Sequence, residues 1–185
     1  TAINAHRIKK TAIALDIGTN TEVSLIHAGQ IYSASCASGP AFEGGHIKHG
    51  MRAASGAIEK VEILNGEISC QTIDDKKPSG ICGSGIIDAL AQCYLAGIID
   101  AGGKIKKDAP HTRIFKDVSE IIIAKNKNGT PRVTLTQKDI REVQLAKGAI
   151  RAGIQVLMNE AGISDEDVDE FIVAGAFGSY IDIKN

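Results

Sequence analysis

Ala14-Leu15-Asp16-Ile17-Gly18-Thr19-Asn20-Thr21-Glu22-Val23 is the stretch on which the fold turns. An apolar run, Ala12 to Leu15, delivers an aspartate to a glycine turn. Small hydroxyl and amide side chains follow, then a second apolar run. The pattern predicts strand, tight turn, strand. Such a turn presents a carboxylate and several backbone N–H groups to one point, the parts that hold a magnesium phosphate. Gly18 has no Cβ, so the backbone there can approach a phosphate closely. The alternative is an ordinary hairpin, because Asp and Gly are common turn residues.

Outward from this turn, strands are predicted over 11–17, 22–27 and 30–34, with His27-Ala28-Gly29-Gln30 as a hairpin turn. Residues 47–57 are expected to form a short helix. Strands over 61–64 and 68–72 flank Asn65-Gly66, a strong hairpin signal. A helix over 81–96 is entered through glycines and stopped at Gly97, and residues 100–110 form a glycine- and lysine-rich loop. Strands over 120–124 and 132–135 surround Asn128-Gly129. The best helix is 137–161, with Thr136 and Asp139 in a capping-box-like start and Gly162 at its end. Its apolar face is Ile140, Val143, Ala146, Ile150, Ile154 and Leu157. Ser164 and Asp167 mark another helix start, and 170–173 is a strand. The order implies an α/β chain with a mixed sheet flanked by helices, and no βαβ alternation of the Rossmann or TIM-barrel kind.

Composition narrows the function classes. The 185 residues include no Trp, 4% aromatics and 20 Gly. The core must be built from Ile, Val, Leu and Ala, with close backbone approaches. A net charge of −1 gives no global field for nucleic acid or an anionic membrane. The stretch from Lys104 to Arg132 is mostly basic and that from Glu160 to Glu170 acidic; each reads as solvated surface before docking patch. Cys36, Cys70, Cys82 and Cys93 form no C-x-x-C pair and no zinc or iron–sulfur spacing. Cys82 and Cys93 sit in apolar company, as buried free thiols do, and a reducing cytoplasm is expected. No signal peptide or membrane-spanning run is seen.

Three glycine-rich places are candidates for one ligand site. In the first, Asp16 suits a metal-bound or polarised water, and Gly18, Thr19 and Asn20 suit phosphate oxygens. The second is Gly39-Pro40-Ala41-Phe42-Glu43-Gly44-Gly45, where Glu43 faces a ribose or metal, or where Pro40 and Gly44 only set backbone angles. The third is Val173-Ala174-Gly175-Ala176-Phe177-Gly178, whose small residues let a flat ring lie against the backbone. Gly80-Ile81-Cys82-Gly83-Ser84-Gly85 also opens a helix, which attracts anions. It lacks a P-loop ending, and close helix packing through Gly83 and Gly85 is its expected role. His46 and His49 are the one close histidine pair, with no third ligand beside them.

The order of these motifs resembles the second half of the actin-like ATPase superfamily, which includes sugar and acetate kinases and heat-shock chaperone ATPases. The chain more closely resembles the C-terminal region of reductive activators of corrinoid-dependent enzymes. The words that carry this are Asp16 to Asn20, Ser38 to Gly44, Gly50-Met51-Arg52-Ala53, Ile81 to Gly85 with Asp88, residues 137–149, and Ala174 to Gly178 with Tyr180. The resemblance implies a ribonuclease-H-like subdomain over 11–185, half of an actin-like ATPase fold, after a lead-in or remnant over 1–10. It implies MgATP as ligand, with Asp16 on magnesium through water and as the catalytic residue, and Gly18, Thr19 and Asn20 on phosphates. Gly175, Ala176 and Gly178 are implied at adenosine, and Glu43 and Gly44 on the ribose side. Family members return Co(II) in a corrinoid protein or methyltransferase to Co(I), drawing the electron from a 2Fe–2S domain. This sequence has no cysteine cluster. It is expected to be a fragment lacking the preceding half of the ATPase fold and inactive alone, with the loop from Ser35 to Ser38 reaching toward a partner. Two rivals stay open: a non-hydrolysing module that binds a corrinoid protein, and half of a small-molecule kinase.

Overall fold

The computed structural model describes residues 10–175. Within them the chain forms two compact units, one from residues 10–39 with 145–175 and one from residues 40–144. Strands and helices are numbered in chain order.

The first unit is a four-stranded mixed sheet. β1 (Ala12–Asp16), β2 (Thr21–His27) and β3 (Gln30–Cys36) form an antiparallel meander, and β10 (Glu170–Ala174) pairs parallel to β1, giving the order β10-β1-β2-β3. β1 has a neighbour on each side, and Ala12, Ile13, Ala14 and Leu15 are all buried, the continuous apolar run expected of a central strand. β2 buries Thr21, Val23 and Leu25 in alternation. Ala28 (φ 49°) and Gly29 (φ 77°) make the β2–β3 turn, two left-handed residues matching the twist of a hairpin.

α2 (Gln137–Ala161) has the predicted bounds. The Asp139 carboxylate accepts the Thr136 N–H at 2.7 Å, and Thr136 Oγ1 accepts the Asp139 N–H at 3.1 Å. This reciprocal cap fixes the start. Gly162, at φ 69°, takes the left-handed position that ends it. Ile140, Ala146, Ile150, Ile154 and Leu157 are buried as the period requires, Val143 is half-buried, and Met158 joins them.

Two glycines of α2 have opposite reasons to be there. A Cβ on Gly148 would meet nothing, whereas one on Gly153 would overlap Cys36 Sγ. Gly148→Ala is therefore expected to raise stability by about 0.5–1 kcal/mol through helix propensity. Gly153→Ala is expected to lower it, because the Cys36 thiol must be displaced from a packed sheet face. Urea midpoints of the two variants moving in the same direction would refute this packing of helix on sheet.

The second unit holds two three-stranded sheets and α1 (Gly83–Leu95). β4 (Ala57–Leu64) lies between β5 (Glu67–Thr72) and the short β6 (Gly80–Ile81). Asn65 (φ 52°) and Gly66 (φ 81°) form the expected β4–β5 turn. Along β4, β6 reaches no further than Ala57 and Ile58. Beyond that, α1 side chains four residues apart replace a strand: Val61 N–H donates to Asp88 Oδ2 at 2.7 Å and Ile63 N–H to Gln92 Oε1 at 3.0 Å. The other sheet has the order β7-β8-β9, from Thr112–Phe115, Val118–Lys125 and Pro131–Thr136.

Two sequence readings need correction. Residues 47–57 form no helix. Their backbone bonds go instead to β6, with Met51 N–H on the Ile81 carbonyl and Ile81 N–H on the His49 carbonyl, both at 2.9 Å. Gly50 forms a bridge with Ile81 and leaves no space for a Cβ against the Gly44 carbonyl. β7 is the other difference, a strand where none was predicted, and β6 supplies a strand before the Gly83–Gly85 opening.

Glu120 is a buried carboxylate of this unit, as are Asp88 and Asp139. The Glu120 carboxylate takes Lys48 Nζ at 2.6 Å, Arg113 Nε at 2.6 Å and Thr134 Oγ1 at 3.0 Å. Burial raises its pKa, but those three hydrogen bonds and the Lys48 charge outweigh burial and hold it below the usual carboxylate range.

Candidate functional site

The first unit gathers most of the predicted phosphate residues at one end of its sheet. Asp16 is the last residue of β1 and is exposed there, after four buried apolar residues. β10 runs parallel to β1 and places Ala174 opposite Asp16. The next residue, Gly175, has φ 77°, and a Cβ on it would stand 2.5 Å from Asp16 Oδ1. The carboxylate and the bare Gly175 backbone therefore share one spot. Gly18, Thr19 and Asn20 form the bend that follows, with Thr19 and Asn20 exposed.

A second loop holds that bend in shape. Ser38 Oγ donates to the Gly18 carbonyl at 3.0 Å and meets Thr21 Oγ1 at 2.7 Å, and Gly39 N–H donates to the Thr19 carbonyl at 2.9 Å. Within the loop from Ser35 to Ser38, Ser38 is buried and bonded inward, while Ser35 and Ala37 are exposed. With the carbonyls of Gly18 and Thr19 taken from behind, the bend keeps a fixed shape toward solvent.

Glu22 is the residue that sequence reasoning missed. It is the cross-strand partner of Asp16, so both carboxylates stand on the same face of the sheet. Ser35 Oγ donates to Glu22 Oε1 at 2.7 Å and orients it. The signal was the count of five residues between Asp16 and Glu22, but register is needed to convert a count into a neighbour. Cys36, the last residue of β3 and opposite Thr21, has its thiol pKa pushed up, first by burial and then by the charge of Glu22; the Gly153 N–H partly offsets both.

Glu43 and Gly44 belong to the second unit. Ala41–Glu43 is a single 3-10 turn closed by Gly44 at φ 82°. A Cβ on Gly44 would lie 2.7 Å from Met51 N and 2.9 Å from Met51 O. The backbone alone thus requires glycine at this position. Glu43 is exposed at the turn. Ala176 and Gly178 lie outside the described residues.

The donor set suits a hard cation. It offers the carboxylates of Asp16 and Glu22, the Thr19 hydroxyl and the Asn20 amide, all oxygen ligands. No group of three or more His, Cys, Asp or Glu among the described residues forms a closed metal cage. Magnesium needs none, since it keeps waters and binds through one or two carboxylates together with substrate phosphates. Among the described residues no helix is long and apolar enough to cross a membrane. The four cysteines are free thiols, Cys82 and Cys93 buried as their apolar neighbours implied.

Comparison with known proteins gives a consistent result. The family model for the C-terminal domain of RACo, the ASKHA domain, matches residues 10–185. The chain is 42% identical over 190 residues to the corrinoid activation enzyme RamQ of Eubacterium limosum, covering 97% of this chain and 32% of that protein. It is 32% identical over 196 residues to the Co(II) methylated amine-specific corrinoid protein reductase of Methanosarcina barkeri, covering 94% and 33%. Among solved structures, a reductive activator for corrinoid, iron-sulfur protein matches with TM-score 0.86 and 38% identity, over 98% of this chain and 30% of that one. The chain spans about a third of the length of these relatives.

Proposed function

Because the chain belongs to the family of RACo C-terminal ASKHA domains, with its actin-like α/β fold, we propose that it forms one wall of a MgATP site in a reductive activator. That activator returns Co(II) corrinoid proteins or corrinoid-dependent methyltransferases to Co(I), with its electron drawn from a 2Fe–2S domain. The observation that carries the reading is the meeting of the Asp16 carboxylate with the bare backbone of Gly175 at the ends of two parallel strands. Ligands of open α/β sheets bind at such strand ends. The names of the relatives support the corrinoid half of the reading.

In this reading residues 11–185 are the C-terminal subdomain of the ATPase region, and 1–10 lead into it. Asp16 holds magnesium through a water. Gly18, Thr19 and Asn20 donate to phosphate oxygens, on a bend that Ser38 and Gly39 keep rigid. The family resemblance assigns Gly175, Ala176 and Gly178 to adenosine, and Glu43 and Gly44 to the ribose side. Magnesium, when bound, neutralises phosphate charge as a Lewis acid. ATP binding and turnover then favour one arrangement of activator and partner over another, which is how an uphill reduction is coupled to nucleotide.

The test mixes the full-length activator that carries this chain with a Co(II) corrinoid protein under a low-potential reductant and follows the cobalt absorbance. Co(I) is expected only when MgATP is present. Equal Co(I) formation without nucleotide would reject the coupling. Gly175→Ala probes the site more finely. Its left-handed backbone costs an alanine about 1–2 kcal/mol, and the Asp16 carboxylate has to swing aside. MgATP affinity by calorimetry is expected to drop at least about tenfold, with unfolding shifted only by the backbone cost. Wild-type affinity in this variant would remove Gly175 from the site.

A further inference from the structure

Part of the exposed apolar surface of the second unit gathers at one hairpin tip, while Leu64, Tyr94 and Leu95 are exposed elsewhere. Residues 114–118 are all exposed. Three of them are large hydrophobes, Ile114 at 56%, Phe115 at 44% and Val118 at 41% exposure. Phe115 and Val118 are cross-strand partners flanking the turn residues Lys116 and Asp117, both left-handed. Ile114, one residue before Phe115, stands on the opposite side of the ribbon. β7 is also an edge strand. Single exposed hydrophobes are ordinary, but a tip that is apolar on both sides is a patch that asks for a cover.

The chemistry around the ring says what kind of cover. Arg113 lies 4.8 Å from the Phe115 ring centre, Lys116 5.6 Å and Lys48 5.7 Å. Glu120 pins two of these cations from beneath, so the cluster is held rigid before any partner arrives. From Lys104 to Arg132 the chain carries eight basic and three acidic side chains, although its net charge is −1. The tip is thus an apolar centre in a positive field.

We propose that the β7–β8 hairpin tip is a docking element for a protein partner whose matching surface has an apolar centre and an acidic rim. Resting on the function proposed above, that partner is the corrinoid protein. Ile114 and Val118 favour protein over nucleic acid, because single strands reward flat rings and phosphate-facing cations but not aliphatic side chains. The rim charges set encounter rate and the apolar centre sets lifetime.

The experiment immobilises a Co(II) corrinoid protein and measures binding of the wild type, of Lys116→Glu, and of Ile114→Ser with Val118→Ser, at low and high salt. Lys116→Glu is expected to slow association about threefold to tenfold and to flatten its salt dependence. The double variant is expected to weaken binding at least about tenfold, mainly through faster dissociation. MgATP affinity and the unfolding midpoint are expected to stay at wild-type values in both. Wild-type binding by both variants would overturn the docking site while leaving the proposed function in place. No binding of the wild type to the corrinoid protein at either salt would overturn that function and the partner assignment with it. Lys116-dependent binding to a single-stranded oligonucleotide or an anionic vesicle, with the corrinoid protein unaffected, would reassign the tip.

Discussion

Asp16→Asn is expected to lower the rate of ATP-dependent Co(I) formation about 10²–10³-fold while leaving the fold and partner binding intact. The substitution keeps the shape of the side chain and removes its charge. Asp16 is exposed at the end of β1, and its ladder to β2 and β10 runs through backbone groups, so stability should change by no more than about 0.5 kcal/mol. What is lost is a full negative charge beside the Gly175 backbone, just before the bend from Gly18 to Asn20. A neutral amide still accepts a hydrogen bond but attracts a hydrated divalent cation far less. The measurement is the rate of cobalt reduction at saturating MgATP, with thermal unfolding and corrinoid-protein binding on the same preparations. Glu22→Gln is the natural companion, since Glu22 stands across from Asp16 but is held by Ser35. Near-wild-type rates in Asp16→Asn, with a large loss in Glu22→Gln, would transfer the role to Glu22. Near-wild-type rates in both would leave the strand end without a part in turnover.

The parts of this molecule that were legible in the sequence are those fixed by neighbours in the chain. α2 could be read to its first and last residue because Thr136, Asp139 and Gly162 write its caps locally. The Asn65-Gly66 and Ala28-Gly29 turns were legible for the same reason. Residues 47–57 misled because Ile47, Met51 and nearby alanines mimic a helical period, while the decisive backbone partner, Ile81, lies some thirty residues on. β7 was hidden because an edge strand with exposed Ile114 and Phe115 shows no alternation. The candidate site divides the same way. The stretches from Asp16 to Asn20 and from Ala174 to Gly178 are local words, but Glu22 enters only through register, and Gly175 is set against Asp16 only by a parallel pairing of two strands far apart in the chain. Asp88 belongs to this second group: it could be seen as a polar residue in a helix, but not as the acceptor for Val61.

Gly85→Ala is expected to destabilise the protein by at least about 2 kcal/mol, against the usual direction for a helical glycine. In an exposed helix the change gains up to about 1 kcal/mol. Here the new Cβ would overlap the Ile58 carbonyl oxygen and lie 2.9 Å from its carbon and 3.0 Å from Ile81 Cγ1. None of these atoms is a free side-chain end that can move aside, for Ile58 and Ile81 are fully buried. The same carbonyl oxygen accepts the Cys82 N–H at 3.0 Å and Cys82 Sγ at 3.3 Å, so moving it loosens the start of the helix. Tilting α1 away instead stretches the Asp88 and Gln92 bonds that stand in for a strand beside β4. Either route costs more than propensity returns. The readout is a lower urea midpoint with an unchanged slope. The variant also decides between two roles for Gly80 to Gly85. If that segment packs helix on sheet, MgATP affinity per folded molecule stays at the wild-type value while stability falls. If its N–H groups instead receive an anion, affinity falls even where the protein is fully folded, and the packing argument for Gly85 gives way to a binding one.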